Sequence, residues 1–204
     1  MFATPDLLAL AERVRPTAAS RTRLLPVAPP LAALLPDGGL RRGTAVRCGD
    51  LSLALALAAE ASAAGSWCGA VGVDDLGVLA AAGYGADLRR LVVVRVPPAQ
   101  WALAAGLLVD GLDLVLLGPP AHPRASAVRT LAARARDRGA VLLVVGAQWP
   151  GPVEAALDVA DRRWQGLGRG TGRLQGRRVA VVARARGTPV RRELWLPTAE
   201  GRVA

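Results

Sequence analysis

The sequence predicts an α/β protein whose mostly parallel sheet is flanked by helices and bordered by antiparallel strands at its C-terminal edge. From Thr44 onward, short apolar strands alternate with alanine-rich helices, which is the pattern of a parallel sheet with crossover helices. Beyond Val159, strand-like runs are punctuated by glycines, as is typical of antiparallel strands. A length of 204 residues suits one domain with a full hydrophobic core.

An amphipathic helix is predicted at residues 4–15. It opens with Thr4 before Pro5, an order typical of a helix N-terminus. Its apolar side chains recur at helical spacing, at Leu7, Leu8, Leu10 and Val14. We expect this helix either to fold back on the domain or to dock on a partner protein.

Prolines and glycines dominate the next segment, residues 16–43. They predict extended or looped chain laid over the domain surface. We therefore divide the protein into an N-terminal helix with its connector, residues 1–36, and a core, residues 37–204.

The core elements follow from the apolar pattern. Strands are predicted at 44–48, 66–73, 91–96, 112–117, 141–145, 159–166, 177–186 and 190–196. Helices are predicted at 51–64, 76–82, 99–110 and 125–138.

Lysine is absent, so that all 26 basic residues are arginine, against 16 acidic residues. This composition excludes Schiff-base and pyridoxal-phosphate enzymes, a phosphate-loop lysine and a lysine general base. Arginine cannot take these roles because it does not release its proton.

The remaining catalytic inventory is one histidine, His122, and two cysteines, Cys48 and Cys68. Their spacing matches no zinc site, and we predict no metal, no cofactor and no catalytic residue. The cysteines are expected as small buried side chains in a reducing cytoplasm. The most apolar stretch, residues 51–65, is interrupted by Glu60, so we expect a soluble cytoplasmic protein without membrane contact.

A series of motifs resembles the core of RecA-like ATPases, from about residue 36 to residue 197. These are the GGLRRGT run at 38–44 with the strand, glycine turn and apolar helix after it, and the segments at 65–74, 83–94, 111–118, 176–184 and 193–196. The resemblance implies a RecA-like sheet.

The nucleotide-binding motifs of that family are missing. Between the first core strand and its helix the chain has only Gly49 and Asp50, where a phosphate-binding loop needs a longer glycine-rich turn with Lys and Ser or Thr. We expect Asp50 to cap the helix. The strand similar to Walker B ends at Gly118 instead of Asp, so that Asp74 is the remaining candidate for nucleotide binding. The connections that resemble the DNA-binding loops, 119–124 and 146–152, are short.

Among RecA-like proteins without nucleotide chemistry, the chain is most similar to the ImuA group, particularly ImuA-prime, which is related to the SulA cell-division inhibitor. The resemblance implies work beside the ImuB polymerase homologue and an error-prone C-family polymerase in damage-induced translesion synthesis.

The charge is concentrated in one segment, because ten arginines and no acidic residue lie between Arg162 and Arg192. The segment can be a solvated strand face, a face for an acidic partner, or a nucleic-acid surface on which Trp164 stacks against a base. The candidate residues for DNA or partner binding are Arg162, Arg163, Trp164, Arg169, Arg173, Arg177 and Arg178.

Trp149 lies in a short Gly/Pro loop. It is either a lid over the sheet end or an exposed anchor for a partner.

These observations predict a non-enzymatic RecA-like adaptor in the DNA-damage response, which connects ImuB-like and C-family polymerases with each other, with RecA or with DNA. A SulA-like inhibitor of cell division and a degenerate nucleotide-binding protein are the alternatives.

Overall fold

The computed structural model describes residues 22–146, 149–167, 171–198 and 203–204. The predicted N-terminal helix lies outside these residues with its four apolar side chains, Leu7, Leu8, Leu10 and Val14.

The described chain alternates strands and helices from residue 40 to residue 145. Helices span Pro29–Ala32 (α1), Leu51–Ala63 (α2), Val78–Gly83 (α3), Trp101–Gly111 (α4) and Ala125–Arg138 (α5). Strands span Leu24–Leu25 (β1), Leu40–Arg41 (β2), Ala45–Cys48 (β3), Cys68–Val71 (β4), Leu91–Val94 (β5), Leu114–Leu117 (β6), Val141–Val145 (β7), Ala155–Leu167 (β8), Gly172–Arg184 (β9) and Val190–Trp195 (β10).

Among the described residues, a sheet of eight strands has the order β10-β9-β8-β3-β7-β6-β4-β5. Strands β3 to β7 pair in parallel, and the first residues of β8 continue this pairing beside β3. On its other side β8 pairs antiparallel with β9, beginning at Ala156, and β9 pairs antiparallel with β10. The predicted α/β fold with an antiparallel edge is confirmed.

Helices cover both faces of the parallel strands, which explains their continuous apolar sequences. In β6, Leu114 and Leu116 belong to the cluster on the face of α2, whereas Val115 and Leu117 belong to the cluster on the face of α4 and α5. Helix α2 is buried along most of its length. Because little of it faces water, its Ala/Leu sequence has no polar face.

The connector differs from the prediction that it runs over the surface. Its apolar side chains are buried in the same cluster as α2, namely Leu25, Val27, Leu31, Leu34, Leu35 and Leu40. Pro29 and Pro30 begin the single turn of α1, where proline is tolerated because the first helical N–H groups have no partner in the helix. The leucines between the prolines are the reason for burial, since their exposure to water is unfavourable.

Two glycines pack against each other where β4 and β6 end. A Cβ atom on Gly72 would overlap the carbonyl oxygen of Gly118 and lie 2.8 Å from Cδ1 of Trp101. Gly72 also has a φ of 71°, a left-handed conformation that L side chains rarely adopt. The crevice between these strand ends is therefore closed by backbone and by the Trp101 ring.

We predict that Gly72→Ala destabilises the protein far more than Gly38→Ala does. Both glycines are left-handed, with φ of 71° and 72°, but a Cβ on Gly38 would meet no atom within 4 Å. The left-handed conformation alone should cost about 1–2 kcal/mol in each variant. Overlap at Gly72 should add about 1–3 kcal/mol. Urea unfolding measures both losses, and equal losses would contradict the packing argument.

Candidate functional site

Asp50 lies in the turn between β3 and α2, at the carboxyl end of the sheet. Its backbone is extended, and its Oδ1 accepts hydrogen bonds from the N–H groups of Ser52 at 2.9 Å and Leu53 at 3.4 Å. These N–H groups lack partners within the helix. The predicted N-cap role of Asp50 is confirmed.

Two arginines from the antiparallel strands reach the same carboxylate. Nη2 of Arg177 on β9 lies 3.4 Å from Oδ1, and Nη2 of Arg162 on β8 lies 3.2 Å from Oδ2. The side chains of Arg177 and Asp50 are only 8% and 11% exposed. Nε of Arg177 also donates to the carbonyl of Leu196 at 2.7 Å. The ion pair thus joins the first parallel strand to the antiparallel edge.

Trp164 completes this group, which we name the Asp50 cluster: Asp50, Arg162, Trp164 and Arg177. Trp164 lies directly opposite Arg177 in the β8–β9 register, and the guanidinium carbon stands 5.4 Å from the centre of the indole ring. This geometry is a cation–π contact. Because Trp164 is still 49% exposed, part of the indole is open to solvent.

The electrostatics of the cluster keep Asp50 ionised. Burial would raise the pKa of Asp50, but the guanidinium groups of Arg177 and Arg162 and the hydrogen bond from the Leu53 N–H together lower it below its usual value. Nearby Tyr84 has a raised pKa, chiefly because it is half-buried. A carboxylate with a lowered pKa is a weak base, so this arrangement favours structural pairing over proton transfer.

Two other predicted arginines, Arg163 and Arg178, lie on the opposite face of the β8–β9 ribbon. Arg163 and Arg178 lie opposite each other one register step from Trp164, and alternation along a strand puts them on the other face. Arg163 pairs with Asp161 at 3.3 Å, and Arg178 pairs with Glu193 at 2.9 Å.

Two further candidates lie near the turn of the ribbon. Arg173 is exposed and forms no ion pair with any described residue. Arg169 lies outside the described residues.

Acidic residues from outside the basic segment neutralise part of it. Asp158 pairs with Arg184 at 2.8 Å and with Arg47 at 2.7 Å, in addition to the pairs of Asp50, Asp161 and Glu193. The local sequence shows no acidic residue, since these partners lie before the segment or after it. A prediction of which strands are neighbours in the sheet could have indicated these acidic partners.

Trp149 is half-buried and packs against the cluster that includes α4 and α5. Its indole nitrogen is buried and forms no hydrogen bond with the described residues. Trp149 therefore rests on the apolar surface beside its loop, which the sequence of the loop does not reveal. Its role as an anchor for a partner stays a prediction.

The cysteines are buried and free. Burial raises the pKa of both thiols to about 12, so they remain protonated at neutral pH. Within the described ranges, no three His, Cys, Asp or Glu side chains form a group that could hold a metal ion. Asp74 is exposed and lies beside the closed crevice at Gly72. No helix in the described part of the chain is long and apolar enough to cross a membrane.

The fold and the Asp50 cluster define an α/β protein whose first core helix is capped by an arginine-bound carboxylate. The chain belongs to the family of the MT3502 N-terminal domain, whose family model matches residues 33–151. It is also similar to uncharacterized protein Rv3395c of Mycobacterium tuberculosis, with 43% identity over 123 residues. That match covers 58% of this chain and 60% of the relative, less than two thirds of its length.

We predict that Asp50→Asn and Asp50→Ala separate the ion pair from the helix cap. Asparagine caps a helix as well as aspartate does, so Asp50→Asn should lose only the charge interactions with Arg177 and Arg162. Because the buried guanidinium of Arg177 is then left without its partner, the loss should be about 3 kcal/mol of stability. Asp50→Ala should lose about 1 kcal/mol more because the cap is also removed. Urea unfolding at neutral pH measures both variants.

The pH dependence provides the control. The folded-state pKa of Asp50 is lowered, so its charge stabilises the fold above its unfolded pKa of about 3.9, and this stabilisation is lost as pH falls through the folded pKa. The stability difference between the natural protein and Asp50→Asn should be constant near neutral pH and shrink below about pH 4. A difference that persists unchanged in acid would show that Asp50 acts without its charge.

Proposed function

We propose that the protein is a non-catalytic RecA-like adaptor in DNA-damage-induced translesion synthesis. It connects ImuB-like and C-family polymerase components with each other, and with RecA or DNA. The position of the Asp50 carboxylate is the observation that supports a non-catalytic role. It accepts hydrogen bonds from the N–H groups at the start of α2, which is the place where proteins with a phosphate loop bind phosphate.

A phosphate at this place would compete with a built-in anion. The carboxylate already satisfies two helix N–H groups and holds two guanidinium groups. A nucleotide would have to displace Asp50 or lie beside it, and like charges repel strongly where burial limits screening. The turn of Gly49 and Asp50 is also too short to wrap a phosphate.

The sheet supports the RecA-like part of the proposal. The apolar strands that resemble the RecA-like series are adjacent and parallel, and the late strands form the antiparallel edge. This is the architecture that the resemblance implies. A fold of this kind hosts many functions, so the adaptor role must come from surfaces.

The β8–β9 ribbon supplies a surface for macromolecular contact. Trp164 and Leu174 are 49% and 48% exposed, and Arg173, which precedes Leu174 in β9, is exposed and has no ion pair to a described residue. Exposed apolar side chains next to arginine and tryptophan are typical of the centres of protein interfaces. On this ribbon the same groups can also contact DNA phosphates and bases.

The degenerate nucleotide-binding alternative makes an opposite prediction about stability. A ligand that binds only the folded state raises the melting temperature. We expect ATP with magnesium, added in millimolar excess, to leave the melting temperature of the protein unchanged. A concentration-dependent rise that Asp74→Ala removes would favour nucleotide binding over the proposal.

We predict that the ribbon is required for partner capture. The tagged protein is recovered from cells treated with a DNA-damaging agent, with nuclease added, and bound proteins are identified by mass spectrometry. The natural protein should recover translesion polymerase subunits or RecA. Arg173→Glu with Leu174→Asp should recover at least about tenfold less, because a hot spot of an interface is reversed in charge and polarity.

The matched control is Arg129→Glu with Leu103→Asp, which changes an exposed arginine on α5 and an exposed leucine on α4. It should recover the same partners as the natural protein. Recovery of the division machinery would instead favour the SulA-like alternative. Loss of every partner on nuclease treatment would mean that nucleic acid, and not protein, occupies the ribbon.

A further inference from the structure

An open cavity of about 650 Å³ lies at the amino ends of β3 and β8, at the opposite end of the sheet from the Asp50 cluster. Its volume falls within the range of ligand pockets, about 300–1,000 Å³. The buried side chains of Ala45, Ala135 and Leu142 form an apolar floor. The cavity therefore offers a concave apolar surface at the amino end of the sheet. This surface is separate from the Asp50 cluster.

The rim of this cavity is strongly basic. Among the described residues that line it are four arginines and one carboxylate, which are Arg41, Arg136, Arg184, Arg186 and Glu154. Arg41 pairs with Glu154 at 2.9 Å, and Arg184 pairs with Asp158 at 2.8 Å.

The other two rim arginines have no such partner. Arg136 and Arg186 are exposed and form no ion pair with the described part of the chain. The rim thus presents two available guanidinium groups above an apolar floor.

The chemistry of the cavity selects a class of ligand. Two unpaired guanidinium groups attract an anion, and carboxylates bind them with directional, charge-assisted hydrogen bonds. The apolar floor favours a ligand that also carries an aliphatic group. No aromatic side chain is present among the lining residues, so a nucleic-acid base would find no stacking partner.

We propose that this cavity docks an acidic peptide segment of a partner protein, with an aliphatic side chain on the floor and carboxylates on Arg136 and Arg186. The inference rests on the adaptor function and deepens it by giving the chemical class of one partner segment. Charge complementarity gives such a contact its specificity.

Fluorescence anisotropy of the full chain with short labelled peptides tests the proposal. One probe has leucine flanked by glutamates, a second has serine in place of leucine, and a third has leucine flanked by lysines. The first should bind most tightly, since it alone satisfies rim and floor. Single-stranded oligothymidylate serves as a competitor and should not displace it.

Variants of the lining residues test whether the peptide binds in this cavity. Arg136→Glu with Arg186→Glu should weaken binding of the first peptide by at least about tenfold, because two attractive contacts become repulsive. Arg129→Glu, on the same helix as Arg136 but outside the cavity, should bind as the natural protein does. Ala132→Leu fills part of the cavity without a change of charge and should also weaken binding, with an unchanged melting temperature.

Peptide binding that survives both the charge reversal and Ala132→Leu would overturn the proposal. Displacement by oligothymidylate that depends on Arg136 and Arg186 would also overturn it, in favour of a nucleic-acid site. Failure of the adaptor function has a different signature, because the peptide would then bind the cavity while capture from damaged cells recovers no polymerase subunit. Recovery of polymerase subunits together with absent peptide binding would remove only the cavity proposal.

Discussion

The ion pair between Asp50 and Arg177 is the interaction on which the two parts of the sheet depend. Asp50 follows the first core strand, and Arg177 lies on β9, which is antiparallel to its neighbours. A guanidinium group as buried as that of Arg177 is strongly destabilising unless it is paired. The backbone N–H of Arg177 also donates to the carbonyl of Pro197, and its backbone carbonyl accepts from the N–H of Leu196. The C-terminal edge is thereby fixed to the start of α2.

The same pair decides what the carboxyl end of the sheet can bind. Open α/β sheets hold ligands in crevices outside the carboxyl ends of their strands. Here the crevice between β4 and β6 is closed by Gly72, Gly118 and Trp101, and the start of α2 is occupied by Asp50. The carboxylate of Asp50 therefore stabilises this end of the sheet and also occupies the helix N–H groups that would otherwise bind an anion. This arrangement supports the proposal that the protein acts through its surfaces.

Local pattern was sufficient to predict the elements of the core, and α5 and β7 have the bounds that the sequence predicts. Asp50 was predictable as a cap because capping needs only the residues of one turn. The burial of the connector leucines was not predictable in this way, since prolines indicate backbone shape and not which surface the chain covers. The ion pairs of the basic segment were not predictable either, because they depend on tertiary packing, which brings together residues such as Arg177 and Asp50 from distant parts of the chain.

Pairing changes what the charge of the basic segment can do. With its partly neutralised arginines, the ribbon has a weaker long-range field than ten unpaired arginines would produce, and salt screens what remains. A surface of this kind gains less from diffuse attraction to a polyanion and more from directional contacts at short range. The ribbon, with exposed Arg173, Trp164 and Leu174, and the cavity, with Arg136 and Arg186 above an apolar floor, both combine guanidinium groups with apolar surface. This combination favours protein partners over nucleic acid at both places, because phosphates need no apolar neighbour whereas a folded or peptide partner buries one.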